Sequence, residues 1–483
     1  MQLFLGIDVG TGGVRAMAVA ENGAVAAEAS VAFDAELLAP RQDRHEQSPE
    51  AWWQAVRRAI AKTLDLLNAS DLAPDRLAAI SVDGTSGTLV VLDSAGRPMR
   101  PAIMYNDSRS ADEAEWINLA AEDFCLKLGY RFTSSFALAK ITWLRNHETE
   151  LFEKAARFVH QADYVLGRLT GGPAVSDYSN ALKTGYDLID ECWPAWIDEL
   201  LQVTDRLPDV VAPGTKVGSV SAAAAAETGL PKGLAVVTGA SDGTAACLAS
   251  GLRRPGDYNT TLGTTLVYKG ISRRICRHPD GLIYSHKLPG GLWLPGAAGN
   301  VGAEWIPAWF PAADVRAMDA AAEPKLPCDC IAYPLVHTGE RFPFISAEAE
   351  GFFTRRPQDT AERYAACLQG TALVERLGYH VLDAATGCGG GEVFSTGGGS
   401  RSDVWMQCRA DATGRVVHRP GCGQSAFGSA LLAAAGTFFA GAAEAAQRMV
   451  RIKRSFTPHP RRTERYNRLF EWFCAELQRR GYL

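Results

Sequence analysis

The hydrophobic pattern divides the chain into short apolar runs, glycine-rich breaks and longer helical stretches. Residues 3–8 (LFLGID) are apolar strand formers that read as a buried strand, and residues 14–20 (VRAMAVA) read as a second. Glu21, Asn22 and Gly23 supply hairpin turn chemistry and lead into a third strand at 24–33. The period changes at 49–68, where Trp52, Trp53, Val56, Ile60, Leu64 and Leu67 fall on one helical face. Residues 77–93 (LAAISVDGTSGTLVVLD) predict a strand, a Gly/Ser/Thr loop and another strand. Helices are predicted over 134–146 and 162–169, and 205–221 is Pro- and Gly-rich and extended. From 233 onward, LAVVTGASDGTAACLASG reads as a strand, a tight loop holding Asp242, and an Ala-rich helix. Residues 256–272 form a hairpin with Gly263 at its bend, and 391–414 a strand, a triple glycine and a helix. The apolar run at 430–443 is too short to span a bilayer and reads as a buried helix. A strand–Gly/Thr–strand hairpin opens each half, which places a domain boundary near residue 235.

Composition narrows the class. A chain of 483 residues exceeds one compact core, so two domains are expected. The net charge of −5, without a basic run, argues against nucleic acid or an anionic membrane as partner. The 11 cysteines are odd in number and scattered, with Cys328 and Cys330 the only close pair, which fits reduced thiols in the cytoplasm. The chain enters a strand within two residues and shows no basic leader, which argues against a secretory signal.

The candidate chemistry lies in the breaks. DVGTGG (with Thr11, Gly12 and Gly13) and LGTT (Gly263, Thr264 and Thr265) are glycine-bearing bends between strands. Such bends expose backbone N–H groups that can cradle phosphate, and the threonines add donors. Neither bend is a Walker A loop or a Gly-x-Gly-x-x-Gly turn. Asp8 would repel phosphate unless a cation intervened, so its place beside such a bend implies a Mg²⁺–nucleotide complex. In STGGGSRSDVW, residues 397–399 can lie flat against a base or ribose, and Ser400 or Ser402 can cap the following helix. Trp405 either lies against the base or joins the core. Asp242 can act as general base on a hydroxyl or simply cap its helix. Two polar clusters, Asp83/Thr85/Ser86 and Asp177/Tyr178/Ser179/Asn180, suit a polyhydroxylated substrate and equally suit turn chemistry.

Taken in order, GIDVGTGGVRAM, MYNDSRS, TGASDGTAACLASG, TTLGTTLV and STGGGSRSDVWMQ resemble the FGGY carbohydrate kinase family. The resemblance covers nearly the whole chain. It implies an α/β fold of two RNase H-like domains of the actin/hexokinase-type ATPase class, flanking a deep cleft. The domains would span 1–235 and 236–440, with C-terminal helices over 441–483 packed on the body. Carried over by motif, Asp242 matches the general base and Asp8 the carboxylate near the metal and the reacting hydroxyl. Thr11, Gly12 and Gly13 match the first phosphate loop, and Gly263, Thr264 and Thr265 the second. Gly398, Gly399, Ser402 and Trp405 fall where the adenine is held, with serine at a position where related proteins can carry asparagine. Ser86 matches a sugar-contacting position, with Asp83 and Asn106 as neighbouring candidates.

Within the family, VDGTSGT, SDYSNALKTGY, YSHKL, GNVGA and GERFPF are most similar to D-ribulose kinases of the plant and cyanobacterial type. Xylulose kinases typically carry Gly-Gln-Met-His-Gly where this chain has GTSGT, and Gly87 stands at the histidine. The resemblance thus implies ATP- and Mg²⁺-dependent phosphorylation of D-ribulose by a cytoplasmic monomer or homodimer. A xylulose or ribitol kinase, or a non-catalytic actin-like protein, are the alternatives.

Overall fold

The computed structural model describes residues 1–34, 44–278, 281–311 and 314–483. It divides into two compact units. The first comprises Met1–Ala249, His286–Gly291 and Cys422–Val450. The second comprises Ser250–Ser285, Leu292–Gly421 and Arg451–Leu483.

The first unit is built on a six-stranded sheet. Its strands are β1 (Leu3–Val9), β2 (Gly13–Ala20), β3 (Val25–Ala32), β4 (Leu77–Gly84), β5 (Lys216–Ser219) and β6 (Ala235–Ser241). They lie in the order β5-β6-β4-β1-β2-β3. β1–β3 form an antiparallel meander, while β1, β4 and β6 run parallel. β1 is apolar on both sides because helices cover both faces of the sheet. On one face lies α1 (Pro49–Ala69), capped by the Ser48 side chain, which accepts from the Ala51 amide, with Trp52 and Trp53 fully buried. On the other lies the helix Ser425–Ala435, whose small residues permit close packing. A Cβ at Gly6 of β1 would stand 1.9 Å from the Ala426 carbonyl oxygen.

The unit therefore continues past the boundary expected near 235. β6 pairs with β4 in the first sheet, and the helix that follows it, α2 (Asp242–Ala249), packs against Ser425–Ala435. No loop precedes that helix, which begins at Asp242 itself. Residues 422–450 also return to this unit.

In the second unit β7 (Tyr258–Leu262), β8 (Leu266–Gly270), β9 (Trp293–Ala298), β10 (Val393–Thr396), β11 (Val417–Pro420) and β12 (Ile452–Phe456) lie in the order β9-β8-β7-β10-β11-β12. β7 and β8 are the expected hairpin, with its bend at 263–265. Two helices anchor the core: α3 (Thr360–Thr386), capped by Asp359, and α4 (Asp403–Thr413), capped by Ser402. The expected all-helical C-terminal segment is corrected: β12 extends this sheet, and the helix Pro460–Arg479 packs on α4. Among the described residues no helix is long and apolar enough to cross a membrane.

Candidate active site

In the first unit three parallel strands deliver carboxylates to one end of the sheet. Asp8 lies directly opposite Asp83 in the β1–β4 ladder, and Ser241 of β6 is in register with Gly84 of β4. Asp242 follows at the same edge as the first residue of α2. Ligands of open α/β sheets bind outside the carboxyl ends of such strands. Asp242 is half-buried, and its Oδ1 accepts from the Gly243 amide at 2.6 Å. Asp8 is half-buried too, whereas Asp83 is fully buried.

Burial first, and the neighbouring Asp8 and Asp242 carboxylates after it, hold the Asp83 pKa well above the carboxylate range. The Ser429 hydroxyl opposes this by donating to Asp83 Oδ2 at 2.5 Å. Asp83 is thus enclosed beside Asp8 with none of its surface exposed. This corrects the expectation of direct sugar contact.

The first glycine bend closes by the Gly10 amide donating to the Gly13 carbonyl at 3.0 Å. Gln47, at the approach to α1, supports it by donating from Nε2 to the Thr11 carbonyl at 3.0 Å, and Trp52 Nε1 fixes Gln47 Oε1 at 2.8 Å. Gln47 carries no motif signal in the sequence. Gly12 stays exposed, so the bend keeps open backbone for a ligand.

Behind the carboxylates runs a chain of hydrogen bonds. Ser86 Oγ donates to the Ser179 carbonyl at 3.4 Å, and the Ser241 amide donates to Ser179 Oγ at 2.7 Å. Ser179 Oγ in turn donates to Asp177 Oδ1 at 2.6 Å. Asp177 is buried and caps the short helix Tyr178–Ala181, so this polar cluster is turn chemistry that positions the Asp242 backbone. Thr85 is bound twice to Gln161 Oε1 and is likewise internal. Asn106 stands in an exposed turn, its amide 3.4 Å from the His45 ring.

The second unit holds a cavity of about 770 Å³. Its lining includes Gly263, Thr264, Gly398, Gly399, Ser402 and Trp405, six of the seven residues expected to bind nucleotide in this half. The seventh, Thr265, is not in the lining; its carbonyl accepts from the Gly263 amide at 3.1 Å and shapes the bend. Gly397 has φ +86°, and a Cβ there would meet the Leu262 carbonyl oxygen at 2.5 Å. A Cβ at Gly398 would meet nothing within 4 Å, so that face opens onto the cavity. Ser402 Oγ accepts from the Trp405 amide at 3.0 Å, which realises the predicted cap. Trp405 is 1% exposed, donates from Nε1 to the Leu368 carbonyl at 3.0 Å and meets Trp305 edge-on. It is a core residue that forms one wall.

A magnesium ion fits the chemistry of Asp8, a hard carboxylate oxygen beside a phosphate-type bend. Among the described residues no group of three or more His, Cys, Asp or Glu side chains is arranged to hold a metal. Such an ion would draw its other ligands from water and phosphate.

Carboxylates at strand ends in one α/β unit and a glycine-walled cavity in another define an actin/hexokinase-like ATPase fold. The crystal structure of a xylulose kinase from Rhodospirillum rubrum superposes with a TM-score of 0.86 at 29% identity, covering 99% of this chain and 98% of that one. Among curated proteins, a xylulose kinase of Escherichia coli is 29% identical over 440 residues, 86% of each chain. One of Streptomyces coelicolor is 30% identical over 440 residues, 86% of this chain and 84% of that one. The N-terminal-domain model of the FGGY family of carbohydrate kinases matches residues 3–249 and the C-terminal-domain model residues 296–437. The chain belongs to this family and is a carbohydrate kinase.

Proposed function

We propose that the protein is an ATP-dependent pentulose kinase of the cytoplasm that converts D-ribulose to D-ribulose 5-phosphate. Asp242 accepts the proton of the terminal hydroxyl as its oxygen bonds to the γ-phosphorus, and the bond from that phosphorus to ADP breaks. Asp8, with the buried Asp83 opposite it in the ladder, orients the hydroxyl. Asp8 would hold a magnesium ion brought with the nucleotide, and that ion would supply neutralisation of phosphate charge. The backbone amides of the bend around Gly12 bind the charge that develops on the transferred group. The cavity of the second unit takes the nucleoside.

The observation that carries the choice of sugar is Gly87. It has φ +87°, and a Cβ there would stand 2.1 Å from the Ser135 carbonyl oxygen. No side chain fits at that position, so the sugar is met by a bare turn bearing Ser86. D-Xylulose is the second reading, supported by the names of the relatives. ADP release with MgATP, measured against D-ribulose, D-xylulose, L-ribulose, ribitol and glycerol, decides between them. Turnover selective for D-ribulose is expected; selectivity for D-xylulose would overturn the choice of sugar. Asp242→Asn is expected to lower sugar-dependent turnover by about 10²–10⁴-fold with ADP affinity unchanged. Full turnover in that variant would refute the base.

A further inference from the structure

The nucleoside cavity contains a carboxylate that the kinase reading leaves without a task. Asp319 lies on the helix Val315–Ala322, lines the cavity and is 8% exposed. Tyr364 of α3 donates its hydroxyl to Asp319 Oδ1 at 3.3 Å. Ser402 lines the same cavity, with its oxygen accepting from the Trp405 amide as the helix cap. A carboxylate has two oxygens and about four acceptor sites, so Asp319 retains acceptor capacity after the bond from Tyr364. Burial raises its pKa, and the Ser402 and Tyr364 hydroxyls and the neighbouring Asp403 modify that rise.

We infer that Asp319 sets nucleotide selectivity by accepting a hydrogen bond from a donor on the nucleoside. This rests on the second-unit cavity being the nucleotide site. Two donors have this chemistry: the exocyclic amine of adenine and the ribose hydroxyls. An acceptor-only group rewards the amine of adenine and is left unpaired, or opposed, by a 6-oxo base. The other charged groups on the cavity wall, Arg316, Arg401 and Glu304, include two cations and one carboxylate, and Glu304 faces His337 at 3.2 Å.

The test compares kcat/KM for MgATP, MgITP and Mg-2′-deoxyATP in the full-length wild type, Asp319→Asn and Asp319→Ala, with ADP and IDP affinities by calorimetry. Wild type is expected to prefer ATP to at least one analogue by on the order of tenfold to a hundredfold. Asp319→Ala should lose that preference chiefly through KM, while kcat with saturating ATP holds, and Asp319→Asn, which keeps one acceptor oxygen, should lose it only in part. Collapse of the ATP:ITP ratio assigns Asp319 to the amine; collapse of the ATP:2′-deoxyATP ratio assigns it to the ribose. Unchanged ratios in variants that still bind ADP would overturn the inference alone. Failure of the wild type to bind ADP would overturn it together with the assignment of the cavity.

Discussion

The ion pair between Glu375 and Arg409 fastens α4, and with it Ser402 and Trp405, to the core of the second unit. The side chains are 1% and 0% exposed. Arg409 donates to both Glu375 oxygens at 2.6 Å and to Ser395 Oγ of β10 at 2.5 Å. Tyr379 donates its hydroxyl to Glu375 Oε1 at 2.7 Å. Burial alone would raise the Glu375 pKa, but Arg409 outweighs it and the carboxyl lies below its usual range. Replacing arginine by methionine leaves a buried carboxylate with its cation gone, a change that costs about 3–5 kcal/mol. Replacing both residues, as Arg409→Met with Glu375→Leu, removes the stranded charge and leaves the Ser395 and Tyr379 hydroxyls without these partners, at about 1–3 kcal/mol. The double variant should therefore be more stable than the single arginine variant. Urea denaturation followed by tryptophan fluorescence measures this, provided m is unchanged.

Acidity supplies a second readout. In wild type the lowered Glu375 pKa contributes stability above the unfolded value of about 4.3, which is lost as pH falls through the folded value. In Arg409→Met burial dominates and the folded pKa rises above the unfolded one, so the penalty grows as pH rises above about 4.3. The gap between variant and wild type should narrow from pH 7 to pH 5. A cost below about 1 kcal/mol for Arg409→Met, or a double variant as unstable as the two single variants summed, would refute the reasoning.

Lys140 is fully buried and donates to the Ser134 carbonyl at 2.6 Å; burial first, then the Lys183 and Arg109 charges, lower its pKa to about 7 against the pull of Asp107. Between that pH and about 10.4 the unfolded chain binds the extra proton, so this residue makes stability rise with pH. Lys140→Met should flatten the rise of melting temperature from pH 7 to 9.5, and identical slopes would exclude Lys140 as its source. Gly398→Ala should leave the melting temperature unchanged yet weaken ADP binding by roughly tenfold, because its methyl enters open cavity. Gly399→Ala should lower the melting temperature as well, since its Cβ would stand 2.5 Å from Leu262 Cγ and 2.9 Å from Trp405 Cζ3. ADP affinity within twofold of wild type in Gly398→Ala would show that the glycine loop does not face the nucleotide.

The features legible in the sequence are those fixed within a few residues. The glycine bend after Asp8, the hairpin around Gly263 and the Ser402 cap all follow from local turn and capping chemistry. What was hidden depends on distant partners. Asp242 reads as part of the second half until β6 is seen to pair with β4. Asp83 reads as a sugar contact until burial and Ser429, 346 residues away, enclose it. The 27-residue helix α3 is buried on several faces, including Tyr364, Leu368, Gln369, Leu373 and Glu375, so it presents no one-sided apolar stripe. Asp319 lies in an unremarkable run, VRAMDAAA, and only the packing of its helix brings it to the cavity.

The return of residues 422–450 to the first unit bears on how the chain is made. Synthesis proceeds from the N-terminus, so the six strands of the first sheet leave the ribosome long before the helix Ser425–Ala435 that covers one face. Until then Phe4, Met17, Val19, Ala79 and Val237 face solvent instead of Phe427, Ala430 and Leu431. Asp83 meanwhile lacks the hydroxyl of Ser429. The nascent first unit is thus an open-faced sheet that needs shielding from its neighbours during translation, and a chain interrupted before residue 422 stays in that state.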